Sequence, residues 1–371
     1  MEEKRPVVYF TDLKSDIKRN LFDKIDALLA AVGLEGRFRK GHLVAVKLHF
    51  GEKGNTSYIR PVFVRRVVDR IKETGARPFL TDTNTLYVGT RSNSPQHICT
   101  AIENGFGYAV TAAPIIIADG IRGMDFTPVE VKGRHFEEVS IAREIADANA
   151  LAVLTHFKCH EMAGFGGALK NLGMGCASRE GKLAQHSNCP PVVDPQGCVA
   201  CGECAPVCPV DAITIGAVAV IDEETCIGCG HCISACPEDT IKIKWNESAS
   251  ILQEKMVEHA RGALVGKEQR CVFINFLTQI SPECDCYGHT DAPIVPDIGI
   301  MASIDPVAID QASADLVNAA AGYRGNASLK SGFEPGGDKF RGVHEDVDWE
   351  VQLLYGEEMG LGKRDYNLER I

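Results

Sequence analysis

The sequence predicts an α/β fold, a largely parallel sheet flanked by helices, with a small α+β module inserted into it. Three observations carry this. Over the first 160 residues short apolar runs alternate with segments of helical period; a glycine- and cysteine-rich stretch then breaks the alternation; and the alternation resumes beyond it. Strands that alternate with helices form βαβ units, whose strands run parallel.

Residues 7–10 form the first strand. Ile17, Leu21, Ile25, Leu28 and Val32 recur at helical spacing, and Gly33 stops that helix. A strand follows at 43–48. Residues 62–72 are amphipathic, with Pro61 near the helix start and Gly75 past its end. Further along come a strand at 79–81, a helix at 95–103 closed by Asn104-Gly105, a strand at 115–118, a helix at 141–146 and a strand at 151–155. Gly164, Gly166, Gly167, Gly173 and Gly175 mark a region of tight turns. After the cysteine-rich stretch, 251–264 and 307–320 have helical period and 272–277 is a strand. Residues 322–347 lack periodicity and read as a long Gly-rich loop, and 349–355 as a last short helix. The chain thus divides into a first part of the α/β domain at 1–188, an insert at 189–246 and a second part of the α/β domain at 247–371.

Composition narrows the function. With 371 residues, 45% hydrophobic, the chain can bury a full core. A net charge of −11 argues against nucleic acid, whose phosphates need concentrated Lys and Arg. No apolar run approaches the ~18 residues of a membrane span, and residues 7–10 are too short for a signal peptide's apolar region. The expectation is a cytoplasmic protein without a transmembrane segment. Of fifteen cysteines, eight fall in two short runs, which points to metal binding in a reducing compartment, not to a disulfide scaffold.

Those runs are Cys198-x2-Cys201-x2-Cys204-x3-Cys208-Pro209 and Cys226-x2-Cys229-x2-Cys232-x3-Cys236-Pro237. Three thiolates two residues apart can wrap three irons of a cube from one tight loop, while the fourth ligates the neighbouring cube. Cys198, Cys201, Cys204 and Cys236 are then expected to hold one [4Fe–4S] cluster, and Cys226, Cys229, Cys232 and Cys208 a second. Zinc sites with four cysteines join two short hooks across a longer span, unlike these runs. The segment resembles bacterial-type two-cluster ferredoxins, with every ligand position present. Between Glu203 and Lys244 it has seven acidic residues and two lysines, and such negative charge predicts low potentials.

In an open α/β sheet, ligands bind beyond the carboxyl ends of the strands. There the sequence places Lys47 and His49, then Asp82, Asn84, Tyr87 and Arg91, then Asp119, then His156 and His160, then Cys284 and Cys286. Five such polar strand ends predict a shared crevice for a small-molecule ligand, with His49, Asp82, Asn84, Tyr87, Arg91 and Lys170 as candidate catalytic residues. Residues 166–173 lack the residue order of a P-loop; they form either an anion-binding turn around Lys170 or structural turns. Cys284-x-Cys286 is poorly placed for an unstrained mutual disulfide, but both thiols can reach one soft metal. Cys284 and Cys286, with His156 or His160, are therefore a candidate third site for zinc or iron; the alternative is a pair of unligated thiols.

Lys47-Leu48-His49-Phe50-Gly51-Glu52, Thr81-Asp82-Thr83-Asn84-Thr85-Leu86-Tyr87, His156-Phe157-Lys158-Cys159-His160-Glu161, the glycines at 166–175, Cys284-Asp285-Cys286 and Ile304-Asp305-Pro306-Val307-Ala308-Ile309-Asp310 together resemble the family catalogued as domain of unknown function 362, in its iron–sulfur subgroup. The likeness spans about residues 40–320 and includes the insert. It implies an α/β fold and two clusters, but no reaction. Two functions follow. One is an oxidoreductase whose clusters exchange electrons with a ligand or metal in the crevice. The other is a non-catalytic electron carrier or adaptor that docks a redox partner protein.

Overall fold

A computed structural model describes residues 5–371. Its centre is an eight-stranded sheet. In chain order the strands are β1 (Val7–Asp12), β2 (Leu43–Lys47), β3 (Arg77–Asp82), β4 (Ile115–Ile117), β5 (Ala150–His156), β6 (Cys271–Leu277), β7 (Gly299–Ser303) and β8 (Asn367–Arg370). Across the sheet they lie in the order β8-β1-β7-β6-β5-β2-β3-β4. From β6 to β4 every pairing is parallel. Strand β7 runs antiparallel to both of its neighbours, β1 and β6, so the sheet is largely but not wholly parallel.

Every residue of β5 and β6 is buried, as expected of strands covered on both faces. Successive side chains point to opposite faces. Val44, Val46 and Leu80 therefore pack with Ile25, Leu28, Val64 and Val67 of α1 (Leu21–Ala31) and α2 (Pro61–Glu73). Ala45, Leu151, Val153 and Phe273 meet the other layer, which contains α3 (Ala168–Gly173), α5 (Ala249–Leu264) and α6 (Pro306–Ala319). A further helix, α4 (Arg179–His186), leads from this layer into the insert.

Several elements differ from the sequence reading. Ile17 is fully exposed and outside any helix; α1 starts at Leu21, where Asn20 accepts from the amides of Phe22 and Asp23. The expected helix at 141–146 is divided. Ile141 and Ala142 end a strand, Glu138–Ala142, paired with Phe126–Glu130, and only Arg143–Asp147 is helical. The glycine-rich region holds a strand pair, Lys158–His160 with Gly164–Gly166, and then α3. The loop at 322–347 contains a short helix, Lys339–Val343.

Helix α3 has no cap from its own segment. Asp310 of α6 accepts from the amides of Ala168 (2.7 Å) and Leu169 (2.9 Å). A Cβ at Gly167 would strike that carboxylate, so a glycine here permits the cap. The insert is built from two short antiparallel strand pairs, Val192–Val193 with Ile241–Lys242 at its ends and the hairpin Ile213–Ile215 with Ala219–Ile221, and the helix His231–Ala235. Leu86, beyond β3, and Leu183, on α4, are buried in its apolar core beside Cys204 and Cys232. Those two side chains seat the insert on the α/β domain.

Candidate functional site

The eight cysteines of the insert gather by fours. One cavity is lined by Cys198, Cys201, Cys204 and Cys236, and a second by Cys208, Cys226, Cys229 and Cys232. The fourth cysteine of each run thus faces the cavity of the other run. Backbone amides point at the sulfurs: Ala212 at Cys208 (3.2 Å), Ala219 at Cys198 (3.4 Å) and Thr240 at Cys236 (3.4 Å). Such donors favour thiolate over thiol. Apolar neighbours complete the lining, Val210, Ile213 and Ile227 around one cavity and Val199 and Ile241 around the other. The donor set and its surroundings fit four-iron cubes.

A much larger crevice of about 750 Å³ opens at the carboxyl ends of β2, β3, β5 and β6. It is lined by the candidates His49, Asp82, Tyr87, Arg91, His156, His160, Lys170, Cys284 and Cys286. Asn84 is not among the lining residues. Its amide donates to Asp119 (2.8 Å) and to the Gly120 carbonyl (2.9 Å), bracing the loop from behind. The crevice also contains residues the sequence reading did not single out as site residues: Lys158, Lys182, His186 and Tyr287. Lys182 and His186 stand four apart on α4, a one-face spacing directly ahead of the insert, and that signal was available in the sequence.

Buried charge is organised around two carboxylates. Burial alone would raise the Asp82 carboxyl, but Lys47 (2.9 Å), His49, His97 and Arg91 (3.5 Å) outweigh it and hold the group well below the usual range. Asp285 is likewise opposed by burial and held low by His156 (2.8 Å) and Lys158 (3.4 Å). Both nitrogens of His156 are engaged, Nδ1 with Asp285 and Nε2 with the carbonyls of Thr278 (3.0 Å) and Gln279 (3.2 Å), so this side chain has no free position for a metal. Burial, helped by Arg91, pushes His49 down to about 3. Its Nδ1 accepts from the Gly51 amide (2.9 Å), which leaves the proton on Nε2.

Cys284 and Cys286 lie on a β-turn closed by the Tyr287 amide on the Cys284 carbonyl (3.1 Å). The neighbouring Cys286, with Lys170 and His160, drives Cys284 well below an ordinary thiol despite its burial, and Cys284 in turn drives Cys286 well above. Lys170 Nζ is 4.0 Å from the Cys284 sulfur; burial pulls its ammonium down, but the two sulfurs outweigh burial and raise it. Among the described residues no three His, Cys, Asp or Glu side chains close on a single-ion position. Thiolates around a four-iron cube stand farther apart than those around one ion, so this bears on the Cys284–Cys286 pair and not on the two four-cysteine cavities.

Lys170 and Lys182 face the crevice with no carboxylate at ion-pair distance among the described residues. Lys182 donates instead to the Thr83 hydroxyl and the Ala177 carbonyl, and burial lowers its ammonium to about 8 against the pull of Asp119. Two cations without carboxylate partners in a deep, partly apolar pocket suit a small anionic ligand.

Among the described residues no helix is long and apolar enough to cross a membrane. No curated protein sequence matches the chain. Among solved structures, the chain is similar to the lactate racemase apoprotein from Thermoanaerobacterium thermosaccharolyticum, at 12% identity and a TM-score of 0.38 over 73% of this chain and 50% of that one. This chain therefore spans about half the length of that relative. The profile of one family, the domain of unknown function DUF362, matches residues 44–315, nearly three quarters of the sequence, and the chain belongs to that family.

Proposed function

We propose that this chain is an iron–sulfur redox protein that binds two [4Fe–4S] clusters in the insert and uses them in one-electron exchange with a ligand of the crevice. The observation that carries this reading is the crossed grouping of eight cysteines around two cavities, each supplied with amide donors. When bound, such clusters supply low-potential single electrons. The chain's own residues do the rest. Lys170 and Lys182 attract and orient an anion, and His49 offers an N–H at the crevice wall. The Leu86–Tyr87 segment ties that wall to the insert, with Leu86 in the insert's core and Tyr87 on the crevice. The crevice favours an oxidoreductase over a plain carrier, because a carrier needs no convergent buried charges. All fifteen cysteines are unpaired, which suits a reducing cytoplasm, and a low-potential donor protein is the implied partner.

The test is metal and sulfide analysis of anaerobically purified chain. About eight irons and eight acid-labile sulfides are expected, with a broad visible absorption that air bleaches. Zinc without sulfide would overturn the reading.

A further inference from the structure

We propose that Cys284 and Cys286 form a dithiol/disulfide centre that reduces a small anionic disulfide in the crevice. The inference rests on the cluster reading above for its supply of electrons, but not for its geometry.

The geometry has four parts. First, the β-turn closed between Cys284 and Tyr287 draws the α-carbons of its first and third residues together, within the range that a disulfide spans. Extended chain at this spacing would hold the sulfurs apart, and the turn removes that objection. Second, the turn is fixed from below. Asp285, at its centre, is wholly buried and bound by His156 and Lys158, and its carbonyl accepts from the Glu52 amide (2.9 Å). Third, both sulfur-bearing residues line the crevice, with Lys170 beside Cys284. Lys170 at 4.0 Å and the neighbouring Cys286 favour the thiolate of Cys284, the reactive form. Fourth, Tyr87 donates to the Cys286 carbonyl (3.1 Å), while its chain neighbour Leu86 is buried against Cys204 and Cys232. One dipeptide therefore touches both the thiol pair and the insert.

The chemistry balances in two halves. The Cys284 thiolate attacks one sulfur of a disulfide RSSR′, forming Cys284–S–S–R and releasing R′S⁻. Cys286 gives up its proton to a departing thiolate, and its sulfur displaces RS⁻, leaving a Cys284–Cys286 disulfide. That disulfide then takes up two electrons and one proton, the electrons coming from a low-potential one-electron donor, and the thiolate–thiol pair returns. A disulfide closed over a single intervening residue is strained, and strained disulfides are the readily reduced ones. The substrate is anionic because Lys170, beside Cys284, and Lys182 both face the crevice without carboxylate partners.

The experiment uses the full chain, purified anaerobically, with oxidised glutathione as the anionic probe and cystamine as the cationic one. Products are mapped by mass spectrometry of peptides. Wild type should yield the Cys284–Cys286 disulfide. Cys286→Ser should stop at a glutathione adduct on Cys284, and Cys284→Ser should form neither. Lys170→Gln should lower the preference for oxidised glutathione over cystamine about tenfold, the size of one lost charge contact, whatever its common effect on both rates through the Cys284 thiolate. Adducts spread over other cysteines, an unmodified Cys284 in Cys286→Ser, or zinc retained by the wild-type pair after chelation would each overturn the proposal. Iron content and visible absorption are read on the same samples. Exchange at Cys284 without iron would keep the dithiol and discard the cluster reading. Intact clusters without exchange would do the reverse.

Discussion

His156 Nδ1 lies 2.8 Å from the carboxylate of Asp285, and both side chains are closed to solvent. The pair joins the end of β5 to the turn that carries Cys284 and Cys286. Lys158 adds its ammonium at 3.4 Å, and Ser57 a hydroxyl at 3.4 Å. Asp285→Asn keeps the shape but removes the charge that compensates the buried Lys158. Breaking a buried pair from one side costs about 3–5 kcal/mol. We expect a loss at the lower end of that range in urea unfolding, with the thiol pair alkylated faster than in wild type before global unfolding. An unchanged urea midpoint would show that the turn is held by packing alone.

Crossed ligation gives a second prediction. Cys208 faces the cavity of Cys226, Cys229 and Cys232, and Cys236 that of Cys198, Cys201 and Cys204. In anaerobic spin-resonance spectra, Cys208→Ser should alter the same centre as Cys226→Ser, and Cys236→Ser the same centre as Cys201→Ser. If Cys208→Ser and Cys201→Ser disturb one common signal, each run holds its own cluster and the crossed assignment fails.

These two features differ in how far the sequence reveals them. The cysteine runs are legible because ligand spacing is local: each loop is a fixed number of residues long, and the cavities follow from it. Strands β2, β3, β5 and β6 are legible because apolar runs in a doubly covered parallel sheet need no partner to be recognised. Strand β7 is not, since Gly299, Met301 and Ala302 carry no period, and its antiparallel place between β1 and β6 is a tertiary matter. Ile141 and Ala142 suit helix or strand equally, and the hairpin partner at Phe126–Glu130 decides. The Cys284 turn is missed for a similar reason. Spacing alone implies two thiols held apart, whereas a buried aspartate between them folds the chain back. Asn84 shows the opposite error: polar residues beyond a strand can brace a wall as well as line it.

Lys182 predicts a pH dependence. Its ammonium titrates near 8 in the folded chain, lowered by burial, and near 10.4 unfolded. Between those values the unfolded chain binds more protons, so stability rises with pH. Over roughly pH 7.5 to 9 the gain is about 1 kcal/mol. Lys182→Met should lack this gain, so wild type should gain that amount of urea stability relative to the variant as pH rises. Parallel curves across the window would mean that Lys182 remains charged in the fold.

Leu86 provides the last prediction, because it separates docking from ligation. Its side chain is 3% exposed and lies in the insert's core with Leu183, Ile233 and Ile241, although its own chain segment belongs to the β3 crevice loop. It lies beside Cys204 and Cys232 but supplies no ligand itself. Truncating a buried leucine costs about 2–5 kcal/mol, and here the loss falls on the contact between insert and α/β domain, not on the sheet. Leu86→Ala should therefore keep its iron and sulfide but expose the insert to limited proteolysis, with cleavage between residues 189 and 246. Electron delivery from the clusters to the Cys284–Cys286 disulfide should slow in the same variant, while direct thiol exchange at Cys284 stays at the wild-type rate. Protection equal to wild type, or first cleavage in the α/β domain, would show that the insert is seated through α4 and Leu183 instead, and that the Leu86–Tyr87 step is not the link between the two centres.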